Sequence, residues 1–112
     1  MNLRPGDVVL ARIEFHQITG SKVRPAVVVL DTGDDDFIAA PVTSRPRHSD
    51  HDLPISDWQQ AGLNAASTAR VHKAGVLPKS DILRHLGRLQ GADLARFLET
   101  LCRAYCHKSR SA

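Results

Sequence analysis

Apolar and polar positions alternate along Val8 to Phe15, with Val9, Ala11, Ile13 and Phe15 on one face and Val8, Leu10 and Arg12 on the other. A period of two places successive side chains on opposite sides of an extended chain, so this segment predicts a β-strand with one fully apolar face. Pro25 to Leu30 is nearly all Val and Ala, the pattern of a strand covered on both faces. Phe37 to Val42 returns as a third strand after the hairpin connection Asp31 to Asp36. Leu53-Pro54-Ile55 predicts a short edge strand, because proline has no N–H to give a ladder. Ser67 to His72 and Gly75 to Leu77 predict two more short strands, and Ile82 to Leu89 fits both a strand and a helix. After Gly91 the period changes: Leu94, Phe97, Leu98, Leu101 and Tyr105 form the stripe of an amphipathic helix.

The intervening segments punctuate this pattern. Arg4-Pro5-Gly6-Asp7 is a turn, His16 to Val23 a loop around Gly20, and Pro46 to Asp52 a polar, basic loop. Ser56-Asp57-Trp58-Gln59 has capping-box spacing and Gly62 supplies a left-handed stop, which predicts one or two helical turns. The basic tail from His107 is expected to fray. Short strands, tight turns and one closing helix predict a mainly β fold: a small, strongly bent antiparallel barrel with a C-terminal helix. The 112 residues form one domain, 1–112, with no internal repeat or linker.

Composition narrows the function classes. Hydrophobic residues make up 42% and charged residues 24%, ordinary for a globular protein, while aromatics at 4% leave Val, Leu, Ile and Ala to fill the core. No apolar run reaches the roughly 18 residues of a membrane span, and polar residues follow Met1, so a cytoplasmic location away from membranes is expected. Net charge is +3, and arginine supplies 11 of the 15 basic residues. Its planar fork donates paired hydrogen bonds to phosphate, so the balance leans towards nucleic acid. Cys102 and Cys106 sit one helical turn apart, where an intra-helix disulfide is strained; reduced, partly buried thiols are expected.

Two segments carry candidate chemistry. In Gly20-Ser21-Lys22-Val23-Arg24-Pro25-Ala26-Val27-Val28 a basic loop ends at an arginine on the lip of a buried strand. In Pro41-Val42-Thr43-Ser44-Arg45-Pro46 an apolar strand ends in hydroxyls and another arginine. Fixed cations and hydroxyls at two strand ends suit a phosphodiester.

The ordered set Pro5-Gly6-Asp7-Val8-Val9-Leu10, Gly20-x-x-x-Arg24-Pro25-Ala26-Val27-Val28, Pro41-Val42-Thr43-Ser44, Asp57-Trp58-x-x-Ala61-Gly62-Leu63, Ser67-x-x-Arg70 and Leu86-Gly87-x-Leu89 resembles the MazF/PemK toxins of type II toxin–antitoxin systems. The likeness spans about residues 4 to 101. It implies an SH3-like barrel with a C-terminal helix, a homodimer, and a metal-independent endoribonuclease acting on single-stranded RNA. By position, Arg24 matches the family's catalytic arginine, Thr43 its catalytic hydroxyl, and Arg70 a second arginine of the PemK/Kid branch. That branch has an aspartate two residues beyond this arginine as proposed base; here His72 stands there, followed by Lys73. Either His72 replaces the aspartate or Arg24 and Thr43 act without it. His16 roughly matches a loop histidine of the same branch.

RNA carries its own nucleophile, the 2′-OH beside the scissile phosphate. Arg24 suits stabilisation of the charge that develops as the linkage breaks, and Thr43 can donate to a non-bridging oxygen or orient the 2′-OH. His72 or His16 is the better proton acceptor, since an imidazole titrates near 6.5. Products would be a 2′,3′-cyclic phosphate and a 5′-OH. His16, Lys22, Ser44, Arg45, Arg47 and His48 are expected to contact RNA. The partner implied is an antitoxin whose acidic, partly disordered segment occupies the RNA groove.

Plainer readings stand beside these. Arg24 can be a solvated loop residue, Thr43 a strand former, Arg70 an ion-pair partner of Asp57 or Asp81, and His72 a solvent-facing ring. His48-Ser49-Asp50-His51-Asp52 lacks a metal-site spacing and a distant third ligand. Asp31 to Asp36 would place Val42 where a calcium loop needs glutamate. Trp58 can stack a base or anchor the short helix. No Gly-rich phosphate loop is present, so no nucleotide cofactor is expected, and the spacings of the His48–Asp52 and Asp31–Asp36 stretches argue against a metal. Two rivals share the fold: a non-catalytic nucleic-acid-binding module, and a CcdB-like topoisomerase-directed toxin. The latter acts through a tryptophan-containing C-terminal tripeptide, where this chain has Arg110-Ser111-Ala112.

Overall fold

The computed structural model describes residues 2–14 and 21–106. Its elements are β1 (Asp7–Glu14), β2 (Ser21–Asp31), β3 (Asp36–Thr43), β4 (Asp52–Ile55), β5 (Ser67–Arg70), β6 (Gly75–Pro78), β7 (Ile82–Arg88) and α1 (Gly91–Tyr105). Two single 3-10 turns, Val71–Lys73 and Lys79–Asp81, flank β6.

The strands run β4-β5-β3-β2-β1-β7, with β6 also on β3. Every pairing is antiparallel. β3 holds β2 along one side and divides its other side: Asp36 to Ala39 pairs with β6, and Val42 and Thr43 pair with β5. The expected barrel with a C-terminal helix is present in outline, but β4 and β7 do not pair with each other, so the sheet stays open.

The unbroken Val/Ala run of β2 explains its place in the middle. Ala26, Val27 and Val28 are all fully buried because each face of β2 meets its own core. One core gathers Val8, Val27, Ala40, Val42, Ala69 and Phe97; the other gathers Val9, Ala11, Ala26, Val28, Phe37 and Ala39. A buried Phe or Val side chain contributes roughly 1.5–3 kcal/mol, so a chain this poor in aromatics relies on many such positions. Helix α1 caps the first core through Phe97, with Leu94 and Leu101 half-buried against it. Leu98 and Tyr105, expected on the buried stripe, are 46% and 52% exposed. Tyr105 lies at the rim and donates its hydroxyl to the Val71 carbonyl at 2.6 Å.

Several boundaries differ from expectation. Strand β2 begins at Ser21, inside the expected loop, because Val23 and Lys22 pair with Arg12 and Ile13. The ambiguous Ile82 to Leu89 segment is strand β7 as far as Arg88. β5 stops at Arg70, and His72 falls in a 3-10 turn, where the Val71 N–H donates to the His51 carbonyl at 3.0 Å. In place of the expected regular helix after Ser56 stands a run of overlapping turns over 56–62, in which the Ala61 N–H reaches the Asp57 carbonyl at 3.1 Å. Their capping box does not form: buried Asp93 of α1 instead accepts the Ser56 and Asp57 N–H groups at 3.0 and 2.8 Å. Gly62 is left-handed as expected, at φ 84°. A Cβ there would lie 2.1 Å from the Leu86 carbonyl oxygen, and one on Gly87 would lie 2.5 Å from that of Ala61. Both cysteines are free and exposed rather than partly buried. His16 and the tail from His107 lie outside the described residues.

Candidate nucleic-acid interface

Register assembles the site. Across β1 and β2, Ala11 faces Arg24 and Val9 faces Ala26; across β2 and β3, Ala26 faces Pro41. Directly opposed residues share a sheet face. Carrying the β2–β3 ladder two residues beyond Ala26 and Pro41 brings Arg24 level with Thr43, where the second core runs out. Thr43 in turn faces Thr68, Thr68 faces Pro54, and Arg70 faces Asp52. Arg24, Thr43, Thr68, Arg70 and Asp52 therefore lie along one face spanning four strands.

The two arginines are held differently. Arg24 is half-buried and forms no ion pair with a described acid. Arg70 donates from Nε to Asp52 Oδ1 at 2.9 Å, and its Nη2 lies 3.4 Å from His72 Nε2. The structural partner expected for Arg70, Asp57 or Asp81, is thus Asp52. The Asp52 side chain is 1% exposed. Burial alone would raise its pKa, but the Arg70 hydrogen bond, a Ser49 hydrogen bond and the Arg70 charge together outweigh it and hold the carboxyl below the usual range. His72 is half-buried, its ring centroid 5.8 Å from that of His51, and its Nδ1 is buried without a hydrogen-bond partner.

Beyond Thr43 the chain turns sharply. The Arg45 N–H donates to Thr43 Oγ1 at 3.1 Å, a local hydroxyl turn that fixes the exit of the strand. Ser44, Arg45, Arg47 and His48 are exposed and line a cleft of about 270 Å³ with Pro54, Ile55, Ser67 and Thr68. Lys22 is exposed on β2. Four of the expected RNA contacts thus share one cleft, while Arg24, Thr43, Arg70 and His72 lie outside its lining. Asp52 and Thr68 were not singled out from sequence: Asp52 closes a polar stretch that reads as loop, and only strand pairing brings it to Arg70.

A second depression, about 300 Å³, lies at the start of α1 and is lined by Asp57 and Asp93. Its carboxylates suit a structural clamp rather than an anion. Burial works against an ionised Asp93, and the Asp57 and Ser56 N–H groups together with Arg96 keep it ionised. No cluster of three or more metal-binding side chains occurs among the described residues. Among the same residues no helix is long and apolar enough to cross a membrane.

Comparison with known proteins matches this architecture. A family model described as "PemK-like, MazF-like toxin of type II toxin-antitoxin system" matches residues 4–105. The chain belongs to that toxin family. Among solved structures, the Mycobacterium tuberculosis toxin MazF-mt6 superposes with a TM-score of 0.74 at 20% identity, over 94% of this chain and 99% of that one. An endoribonuclease from a Mycobacterial species, in complex with its cognate antitoxin, gives 0.73 at 18% identity over 96% and 98%. A MazE–MazF complex from Deinococcus radiodurans gives 0.71 at 17% identity over 96% and 98%. At these identities the likeness defines the fold. No curated protein sequence matches the chain significantly.

Proposed function

We propose that this toxin-family chain is a metal-independent, sequence-selective endoribonuclease that cuts single-stranded RNA by attack of the internal 2′-OH. The observation that carries the reading is the β2–β3 register: Ala26 faces Pro41, so the ladder carried two residues further sets Arg24 of β2 opposite Thr43, the last residue of β3, with Arg70 on the same face. Arg24 stabilises the negative charge developing on the non-bridging oxygens, and Thr43 orients the phosphate or the 2′-OH. Arg70 adds a second positive charge. His72 is a catalytic residue only if Arg70 releases its Nε2, because Nδ1 is buried. His16 is the alternative base. Lys22, Ser44, Arg45, Arg47 and His48 hold the flanking nucleotides. The products carry 2′,3′-cyclic phosphate and 5′-OH ends.

The same cations attract carboxylates, so the cognate antitoxin is an acidic segment that occupies the RNA groove. Solved structures of this fold include an endoribonuclease in complex with its cognate antitoxin and a MazE–MazF pair, which supports an antitoxin partner. A homodimer, active in the cytoplasm, completes the reading; Val76 and Leu83, 64% and 46% exposed, are apolar surface for a second copy to cover.

The test is direct. Purified protein incubated with a long RNA in EDTA should cut it, and a deoxyribose at the mapped cut position should block that cut. RNA bound but left whole would favour a non-catalytic binding module.

A further inference from the structure

We propose that Asp52 is a positioning residue that holds Arg70 and His72 as one preorganised unit beside Thr43, an inference that rests on the nuclease reading above. Asp52 is brought from β4 to the Arg70 side by direct pairing of the two residues across the β4–β5 ladder. Its side chain is 1% exposed, so it touches no substrate and acts through Arg70.

The geometry fixes three things together. Asp52 takes Nε of Arg70 at 2.9 Å, which sets the plane of the guanidinium. Arg70 Nη2 then meets His72 Nε2 at 3.4 Å. A guanidinium only donates, so Nε2 accepts and the ring proton sits on Nδ1. Arg70 Nη1 makes no hydrogen bond among the described residues, which leaves it for a phosphate oxygen. Around this unit lie His51, its ring tilted 46° to that of His72 at 5.8 Å, and neighbouring Lys73. From α1, Tyr105 bonds the Val71 carbonyl and Arg103 donates to the Asp50 carbonyl at 2.7 Å. These contacts pin the backbone just before Asp52 and just before His72.

The contact explains why a histidine stands at position 72 without serving as a freely accessible base. The negative charge beside Arg70 comes from another strand, and His72 acts as a brace on the guanidinium. A misplacement of about 1 Å in such a group can cost on the order of a hundredfold in rate.

The experiment compares wild-type with Asp52→Asn, which keeps shape and loses charge. Asp52→Asn should lower kcat on an RNA oligonucleotide by about tenfold to a hundredfold, with KM changed less than about twofold. In an Arg70→Ala background the same substitution should have no further effect on kcat. The ring ¹⁵N spectrum of His72, read without substrate, should show the Nδ1–H tautomer in wild-type and lose it in Asp52→Asn. Unchanged kcat and tautomer, or losses that add in full with Arg70→Ala, overturn the inference. If Asp52→Asn does not fold, Arg70→Lys replaces it: lysine keeps the charge but cannot hold both partners, so kcat should fall equally, and wild-type kcat overturns the inference. Wild-type protein that leaves RNA whole overturns the nuclease reading alone, and the His72 spectrum still decides the Asp52 contact.

Discussion

For single side chains the sharpest contrast is between Arg24 and Arg70. Both guanidiniums lie on one face, yet only Arg70 is tied to a buried carboxylate. Arg24→Ala should therefore leave the melting temperature nearly unchanged while lowering kcat by about 10²–10³, the usual effect of removing one preorganised donor. Full activity in that variant would show the site to be misplaced. Thr43→Val tests the hydroxyl. It removes the acceptor for the exposed Arg45 N–H, so stability should change by less than about 0.5 kcal/mol while cleavage falls. Arg24 and Thr43 stood out in the sequence because each flanks an apolar run and matches a family motif. Asp52 was not, since a carboxylate in a run of polar residues reads as solvated until its strand partner is known.

Within the elements, the strands were easier to read than their joints. The Val/Ala run of β2 can only be a strand buried on both faces, and the helix period after Gly91 is unambiguous. The segment after Ser56 misleads because its backbone donors are met 36 and 37 residues away, by Asp93, and not by a local cap. Asp93→Ala should orphan both N–H groups and remove the carboxylate that Arg96 pairs with, costing roughly 2–5 kcal/mol by thermal or urea unfolding. The hairpin between β2 and β3 offers a pH test. A hydrogen bond from Lys79, then the Gly33 N–H, pulls the Asp31 carboxyl from its ordinary 3.8 down to about 2. A depressed carboxyl contributes stability above the unfolded value near 3.8, and that contribution is lost as pH falls towards 2. In Lys79→Met the Asp31 titration should move back towards 3.8 by NMR, and the acid destabilisation between those values should shrink. An unmoved titration would show the Lys79 contact to be idle.

For the molecule as a whole, topology was the least legible property. Nothing in the local pattern says that β3 shares one side between β5 and β6, or that β4 and β7 stay apart. That arrangement shapes the candidate site, because it stretches one polar tier over four strands and hangs the exposed Arg45–His48 segment at its end. Binding to single-stranded RNA should weaken with salt, and Arg45→Ala or Arg47→Ala should each reduce the slope of log K against log salt by about 0.7. A slope that does not change would place the RNA elsewhere.

The backbone contact between Gly62 and Gly87 sets a limit on how this scaffold can diversify. At that crossing the main chain of the 56–62 turn rests directly on β7, so neither position can accept even a methyl group. Variants selected for a new cleavage sequence must therefore vary elsewhere, and a library randomised at 44 to 48 should yield altered target preference where one randomised at 62 or 87 yields only unfolded chains.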